Sequence, residues 1–231
     1  MTMSSEDKKV EKIIPSILER GLQNFLYRTL GKHIPQKMTP NHITIIGAIG
    51  GLIGIICAFL ANIHMFFLFG TIAGLVCHVI CDDLDGYVAR TRNMTSKAGA
   101  YLDLLTDILH ITFLIIGLAF SGVIDFRLAV FVTPLYAFIM FTSMNYILHL
   151  NEFLFPRLGP VETHLFFVAI AVSGIVLKGR ELFCIGGFGV TLGDLIAFVG
   201  ALTMYFEAAR LQVILFKRLN KLDKSEKNNE K

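Results

Sequence analysis

The sequence predicts an all-α integral membrane protein with six transmembrane helices, preceded by an N-terminal amphipathic helix on the membrane surface. Hydrophobic residues make up 54% of the 231 residues and charged residues only 17%, whereas a soluble domain carries about 25% charged residues. This composition excludes a disordered, fibrous or disulfide-stapled secreted chain. The formal net charge of +3 gives no indication of nucleic-acid binding.

Six apolar stretches are long enough to be membrane crossings. A helix needs about 20 mostly apolar residues to cross about 30 Å of hydrocarbon. We place the crossings, to within several residues at each edge, at 42–62, 65–88, 98–120, 128–150, 163–178 and 191–215.

The Lys and Arg residues predict the orientation of these crossings. With six crossings, seventeen of these cations lie on the side of the termini and three in the loops opposite. Because Lys and Arg near helix ends resist translocation, we expect both termini in the cytoplasm.

The two ends of the chain are less hydrophobic than its centre. Residues 9–31 place apolar side chains at helical spacing opposite charged ones such as Lys9 and Arg20, which predicts a helix in the membrane surface. Pro15 predicts a kink or a late start, and a helix packed on a soluble partner is the alternative. The predicted organisation is an N-terminal cytoplasmic segment at 1–38, a six-helix membrane domain at 39–216 and a polar cytoplasmic tail at 217–231.

Small residues recur in the first crossing. Gly47, Gly50, Gly51 and Gly54 form overlapping small-xxx-small patterns, which favour close helix packing in membranes. The four cysteines lie in or beside apolar stretches and do not suggest a disulfide framework.

Five aspartates interrupt the second and third crossings: Asp82, Asp83, Asp85, Asp103 and Asp107. Each isolated Asp at a helix centre costs about 2.5–3.5 kcal/mol, so a positive partner is needed. Asp82 and Asp85 share one helix face, as do Asp103 and Asp107. Two facing carboxylate pairs offer the hard oxygen ligands that Mg²⁺ or Mn²⁺ prefers.

The position of these acids along their helices predicts where the site opens. Asp82 lies about 26 Å along a helix that starts near Met65 on the outer side, and Asp107 about 15 Å into the next. The site therefore opens toward the cytoplasmic leaflet, where a water-soluble nucleotide and a lipid can meet.

The residues around these acids carry a family signature. Asp82-Asp83-Leu84-Asp85-Gly86-Tyr87-Val88-Ala89-Arg90, then Gly99-Ala100-Tyr101-Leu102-Asp103-Leu104-Leu105-Thr106-Asp107, resembles the CDP-alcohol phosphotransferase pattern. That pattern is D-x2-D-G-x2-A-R, eight residues, then G-x3-D-x3-D, and all eight fixed positions are present. Pro40-Asn41 and Thr44 resemble the segment that often opens the first helix of the family.

The resemblance implies an integral membrane enzyme of six transmembrane helices, usually homodimeric. Such enzymes transfer a phosphate-substituted alcohol from a CDP-alcohol to a hydroxyl acceptor and release CMP, with a lipid substrate in the cytoplasmic leaflet. Two divalent cations are implied. By position, Asp82, Asp85 and Asp103 would be metal ligands, and Asp107 a ligand that also acts as general base.

The companions of the aspartates suit the donor. An anionic pyrophosphate repels an attacking hydroxyl until cations neutralise its oxygens. Gly86, Ala89 and Gly99 would let cytidine and phosphates approach the backbone, and Arg90 could pair with a phosphate. Asn41 and Thr44 are further candidates for contact with the nucleotide, or else cap the first helix.

Other polar residues have open interpretations. Asp83 lies outside the signature, which favours a salt bridge or a solvated position, and Arg90 or Arg92 could anchor the helix end. Glu162, and Glu207 with Arg210, are candidates for the acceptor site, with an interhelical ion pair as the alternative. A zinc site at Cys77, His78, Cys81 and Asp82 is disfavoured, because we expect His78 to point elsewhere.

The substrates are left open between two branches of the family. We favour slightly CDP-diacylglycerol as donor with a small alcohol as acceptor. The alternative is a CDP-choline or CDP-ethanolamine:diacylglycerol phosphotransferase. Leu104 stands where that branch commonly has His, whereas Asn41-His42-Ile43-Thr44 with Gly47, and Gly159-Pro160-Val161-Glu162, resemble it.

Two rival functions also use aspartates within membrane helices. Intramembrane prenyltransferases bind a pyrophosphate through Mg²⁺, but usually have more crossings and lack the Gly, Ala and Arg companions. A divalent-cation transporter could line its path with acids, but the outer halves of these crossings contain few polar groups to continue the path.

Overall fold

The computed structural model describes residues 11–13, 16–154 and 156–229, and its architecture is a bundle of helices. A short helix, α1 (Ile17–Thr29), and a helical turn at Gly31–His33 precede the bundle. The bundle comprises α2 (Pro40–Leu60), α3 (Leu68–Thr91), α4 (Lys97–Phe120), α5 (Phe126–Leu150), α6 (Pro160–Leu177) and α7 (Leu192–Asn229).

All six bundle helices are long and apolar enough to cross a membrane, counting the turn Met65–Phe67 as the start of the second span. Large apolar side chains remain exposed along them, such as Ile49, Leu52, Phe131 and Phe198. Such surfaces are stable in hydrocarbon rather than in water. The predicted fold class is confirmed: the chain is a multi-pass integral membrane protein.

Two short strand pairs connect the helices. Strand β1 (Glu11–Ile13) pairs in parallel with β2 (Glu152–Leu154), and β3 (Glu181–Ile185) pairs antiparallel with β4 (Phe188–Thr191). Gly186 and Gly187 make the β3–β4 turn with φ of +56° and +84°, a conformation that glycine adopts without steric cost. The sequence prediction contained neither pair.

Helices α2 and α3 pack closely, as the small-residue pattern predicts. A Cβ atom placed on Gly74 would lie 2.5 Å from the Cα of Gly54, so the two backbones touch where no side chain separates them. Buried residues of α3, α4 and α6 continue this core, among them Leu75, Leu114 and Ala171. The bundle thus holds the aspartate-bearing ends of α3 and α4 side by side.

The N-terminal helix begins later than residue 9. The hydroxyl of Ser16 accepts a hydrogen bond from the Glu19 amide (3.0 Å) and caps α1, so the late start expected from Pro15 is confirmed. Because Glu11–Ile13 form a strand, the prediction of helix there is wrong. The parts of that prediction on residues 9–10 and 14–15 lie outside the described residues.

Helix α1 exposes apolar side chains and buries polar ones. Its apolar residues Ile17, Leu18 and Phe25 are exposed, while Glu19 and Gln23 are buried against the bundle. The exposed apolar face is suited to a lipid surface, and the buried face is held by polar contacts.

The last helix does not end near residue 215, as the sequence reasoning expected, but continues to Asn229. Its polar part is rich in Lys, which is a good helix former. Arg218 donates two hydrogen bonds to Glu152 (2.6 and 2.7 Å). These bonds lower the pKa of the Glu152 carboxyl, so the pair stays ionised at neutral pH.

Candidate active site

The four aspartates of the signature meet in one cavity. Asp82 and Asp85 reach it from α3, and Asp103 and Asp107 from α4; the other lining residues are Thr44, Gly47, His78 and Thr106. Carboxylate oxygens of Asp82, Asp103 and Asp107 all lie within 4.8 Å of one another. Like charges this close require a cation or a shared proton.

Asp85 stands between this cavity and a larger cleft. Its Oδ2 accepts a hydrogen bond of 2.5 Å from the hydroxyl of Thr44 on α2, which fixes the carboxylate. Both residues line the aspartate cavity and the cleft. The two spaces therefore adjoin at this pair.

Asp107 has two neighbours that the sequence analysis missed or misplaced. Tyr136 on α5 donates its hydroxyl to Oδ2 of Asp107 (3.1 Å), and the Nε2 atom of His78 lies 3.6 Å from Oδ1. The expectation that His78 points elsewhere is wrong. It precedes Asp82 by four residues, which puts both side chains on one helix face.

The cleft is open and has a volume of about 160 Å³. It is lined by all six residues that the sequence analysis offered as nucleotide contacts: Gly86, Ala89, Arg90 and Gly99 of the signature, and Asn41 and Thr44 of α2. Side chains would fill it where the glycines stand. A Cβ on Gly86 would lie 3.0 Å from Nη1 of Arg90, and one on Gly99 3.3 Å from Oδ1 of Asn41.

Arg90 is held at the cleft by the N-terminal helix. Its Nη2 donates to the hydroxyl of Tyr27 (3.0 Å), and the Tyr27 ring stacks on Tyr87 with centroids 4.5 Å apart. Burial raises the pKa of Tyr27 to about 12, so at neutral pH this side chain is an uncharged acceptor. Tyr27 therefore does not neutralise the positive charge of the Arg90 guanidinium.

Arg92 has a different role from Arg90. Its guanidinium donates to the carbonyl oxygens of four residues in the loop before α2: Ile34 (2.9 Å), Pro35 (3.1 Å), Gln36 (3.4 Å) and Met38 (2.7 Å). Arg92 thus anchors the end of α3 to that loop.

Asp83 does not occupy a solvated position, so that part of the expectation is wrong. It is buried, and its Oδ1 accepts from the side-chain amide of Gln23 on α1 (2.9 Å). Gln23 also donates to Glu19 (3.1 Å), which accepts from the backbone of Val161 on α6 (3.3 Å). This chain of hydrogen bonds attaches α1 to α3, the helix that carries Asp82, Asp83 and Asp85.

The two glutamates proposed for the acceptor site have structural partners. Glu162 accepts from the Gly159 amide (2.9 Å) and from the Ser16 hydroxyl, so it caps α6. Glu207 accepts two hydrogen bonds from Arg210 (2.9 and 2.7 Å), with Nε of Arg157 at 4.0 Å. These ion pairs of Glu207 are formed within α7 and with the loop before α6, so they are not the interhelical pair of the alternative.

The cysteines of α3 pack against α2. A Cβ on Gly47 would lie 2.7 Å from Cβ of Cys81, and one on Gly50 2.5 Å from Sγ of Cys77. Among the described residues, neither cysteine belongs to a group of potential metal ligands.

Comparison with known families agrees with this geometry. A model of the CDP-alcohol phosphatidyltransferase family matches residues 37–212. The chain belongs to this family. It is therefore a membrane transferase of substituted phosphate groups in phospholipid synthesis, which decides against the prenyltransferase and the transporter. No curated protein matched the chain in a search.

The aspartate cavity fits a divalent cation. Its ligands are carboxylate oxygens, the donor set that Mg²⁺ and Mn²⁺ prefer, and the family is generally dependent on divalent metals. The activity of the family is phosphatidyl transfer from a CDP-alcohol.

Proposed function

We propose that the protein transfers a phosphatidyl group from CDP-diacylglycerol to the hydroxyl of a small alcohol and releases CMP, with two divalent ions, Mg²⁺ or Mn²⁺. One observation supports this best. A cavity of converging carboxylates adjoins a cleft lined by all six candidate nucleotide contacts from the sequence analysis.

In the proposed site, Asp82, Asp85, Asp103 and Asp107 hold the ions. When bound, the ions neutralise the pyrophosphate oxygens and stabilise the leaving CMP. The Thr44 hydroxyl keeps Asp85 oriented. Arg90 pairs with a phosphate of the donor, since a guanidinium binds phosphate with two parallel hydrogen bonds.

Asp107 is the proposed general base. The acceptor hydroxyl oxygen forms a bond to the phosphorus that carries the diacylglycerol, the pyrophosphate bond to the CMP phosphate breaks, and the hydroxyl proton goes to Asp107. Tyr136 and His78 position the carboxylate from two sides. Their contacts support a carboxylate of fixed orientation at this point.

The choice of donor rests on Leu104. At the position after the third aspartate, where the aminoalcohol branch commonly has His, this aliphatic side chain packs with apolar residues of α5 and α7, so it supplies no acid or base. Glu162, part of the run that resembles that branch, is already a helix cap. The CDP-choline or CDP-ethanolamine:diacylglycerol reaction is the second candidate, supported by Asn41-His42-Ile43-Thr44.

The orientation and assembly are also proposals. The excess of Lys and Arg on the side of α3 where the cleft opens supports cytoplasmic termini and a cytoplasmic active site. The resemblance supports a homodimer. We propose the same division as from the sequence: 1–38, a catalytic domain at 39–216, and the polar segment 217–231, which includes the end of α7.

A substrate panel tests this function. Purified protein in nanodiscs receives CDP-diacylglycerol, CDP-choline or CDP-ethanolamine with Mg²⁺, each with small alcohols or with diacylglycerol, and CMP release is measured. We expect CMP and a new phospholipid only from CDP-diacylglycerol with a small alcohol. Asp103→Asn is the inactive control. Turnover of CDP-choline with diacylglycerol would establish the second candidate, and no CMP from any donor would refute both.

A further inference from the structure

Three histidines from three helices meet beside the aspartate cavity. His78 of α3, His110 of α4 and His164 of α6 stack with ring centroids 4.0, 5.9 and 6.3 Å apart. One nitrogen from each ring lies within 4.8 Å of the others. The signature accounts for none of these residues.

Four of the six ring nitrogens of this cluster are buried and lack a hydrogen-bond partner among the described residues. His110 is 4% exposed, and neither of its nitrogens has a partner among the described residues. In the same part of the chain, Nδ1 of His78 and Nε2 of His164 also lack one. Buried polar atoms are nearly always paired, so these nitrogens call for a ligand that the described residues do not supply.

The backbone of α2 leaves room for the cluster. A Cβ on Gly51 would lie 2.5 Å from Nδ1 of His110 and 2.9 Å from Cδ2 of His78. Glycine is therefore the residue that admits both rings next to this helix.

Two of the rings have an outer partner that orients the inner nitrogen. Nδ1 of His164 lies 2.8 Å from the carbonyl oxygen of Pro160. A carbonyl only accepts, so Nδ1 carries the hydrogen and Nε2 presents its lone pair. His78 directs Nε2 to Asp107 at 3.6 Å, leaving Nδ1 for a ligand. A carbonyl or carboxylate behind the ring is typical of metal-binding histidines.

We propose that His78, His110 and His164 form a second cation site, selective for a borderline-soft ion such as Zn²⁺ over Mg²⁺. Imidazole nitrogens suit Zn²⁺, whereas the neighbouring carboxylates suit Mg²⁺. Tetrahedral Zn²⁺ with bonds of about 2.0–2.1 Å sets its ligands roughly 3.3 Å apart. The rings lie nearly parallel, at interplanar angles of 14°, 21° and 12°, so they must turn out of the stack to direct their nitrogens at one ion.

Because His78 also contacts Asp107, the test measures Zn²⁺ binding directly rather than turnover. Purified protein is stripped of metal and dialysed against Zn²⁺ with Mg²⁺ in large excess, so that Mg²⁺ fills the aspartates. We expect about one Zn²⁺ per chain by elemental analysis. X-ray absorption at the zinc edge should show about three imidazole nitrogens. A shell dominated by oxygen or sulfur, or no retained Zn²⁺, would overturn the proposal.

Variants locate the site. His110→Phe keeps a ring beside His78 and should reduce the affinity for Zn²⁺ at least 100-fold, whereas His149→Ala, which removes an exposed imidazole on α5, should bind like the unmodified protein. Gly51→Ala places a methyl group against His110 and should also weaken binding. Unchanged Zn²⁺ content in folded His110→Phe would refute the assignment. If that variant does not fold, the absorption spectrum of the unmodified protein decides.

Discussion

Carboxylates at the two ends of the bundle have opposite surroundings. On the hairpin side, Asp194 accepts from the amides of Asp125 (2.5 Å) and Thr191 (2.9 Å) and from the Thr191 hydroxyl (2.9 Å). In the aspartate cavity, by contrast, the carboxylate oxygens of three aspartates face one another. A carboxylate saturated by neutral donors holds the chain together, whereas converging carboxylates create a place for cations.

Removal of divalent ions should have the largest effect on turnover and should act only at the aspartate cavity. Chelation of the purified enzyme is expected to reduce CMP release to background, because the converging acids cannot hold the anionic donor without cations. Added Mg²⁺ or Mn²⁺ should restore it. Thermal unfolding should still show a cooperative transition, since the Asp194 contacts need no ion. Full turnover in excess chelator would contradict the comparison.

Asp107→Asn tests the proposed general base in the aspartate cavity. This change keeps the size of the side chain and one acceptor for Tyr136, but removes the proton acceptor. We expect turnover to fall about 10²–10⁴-fold, with an unchanged unfolding temperature. The assay is initial CMP release at saturating donor. Unchanged turnover in the variant would refute the assignment of Asp107 as base.

Asp194→Ala tests the other end. It leaves the Thr191 and Asp125 amides without their acceptor, so we expect a loss of about 2–4 kcal/mol of stability. The readout is the midpoint of thermal unfolding in detergent. Turnover per folded molecule should stay within about twofold. A larger loss of turnover would show that the hairpin end also serves the reaction.

Arg90→Gln and Arg92→Gln distinguish the roles of the two arginines: Arg90 lines the cleft, and Arg92 anchors the end of α3 to the loop before α2. The first should raise the KM for the donor about tenfold, because a charge-assisted phosphate contact is lost, and leave stability nearly unchanged. The second removes the bonds to four carbonyl oxygens and should instead lower the unfolding temperature. Steady-state kinetics and thermal unfolding distinguish them. Equal KM effects in both variants would contradict the assignment.

Much of the bundle was predictable, because lipid imposes a simple pattern on the sequence. Six helices were expected from six apolar stretches, and all six are present. The meeting of Asp82, Asp85, Asp103 and Asp107 followed from spacing on two consecutive helices. Local spacing decides which face of a helix a residue occupies, so such features can be derived from sequence.

The features that were missed depend on contacts between distant segments. Tyr136 reaches Asp107 across 29 positions of sequence, and Gln23 reaches Asp83 across 60. The β3–β4 hairpin had one local signal, the pair Gly186-Gly187, which is typical of tight turns. The spacing of His78 and Asp82 could have placed that histidine in the cavity, but its meeting with His164 could not be derived.

The length of α7 has a practical consequence. At 1.5 Å per residue its 38 residues extend about 57 Å, whereas roughly 30 Å suffices to cross hydrocarbon. Its last turns therefore extend beyond the hydrocarbon, on the same side as the cleft. A fluorophore or purification tag fused to this end would be carried well clear of the lipid headgroups, where antibodies and resins have ready access.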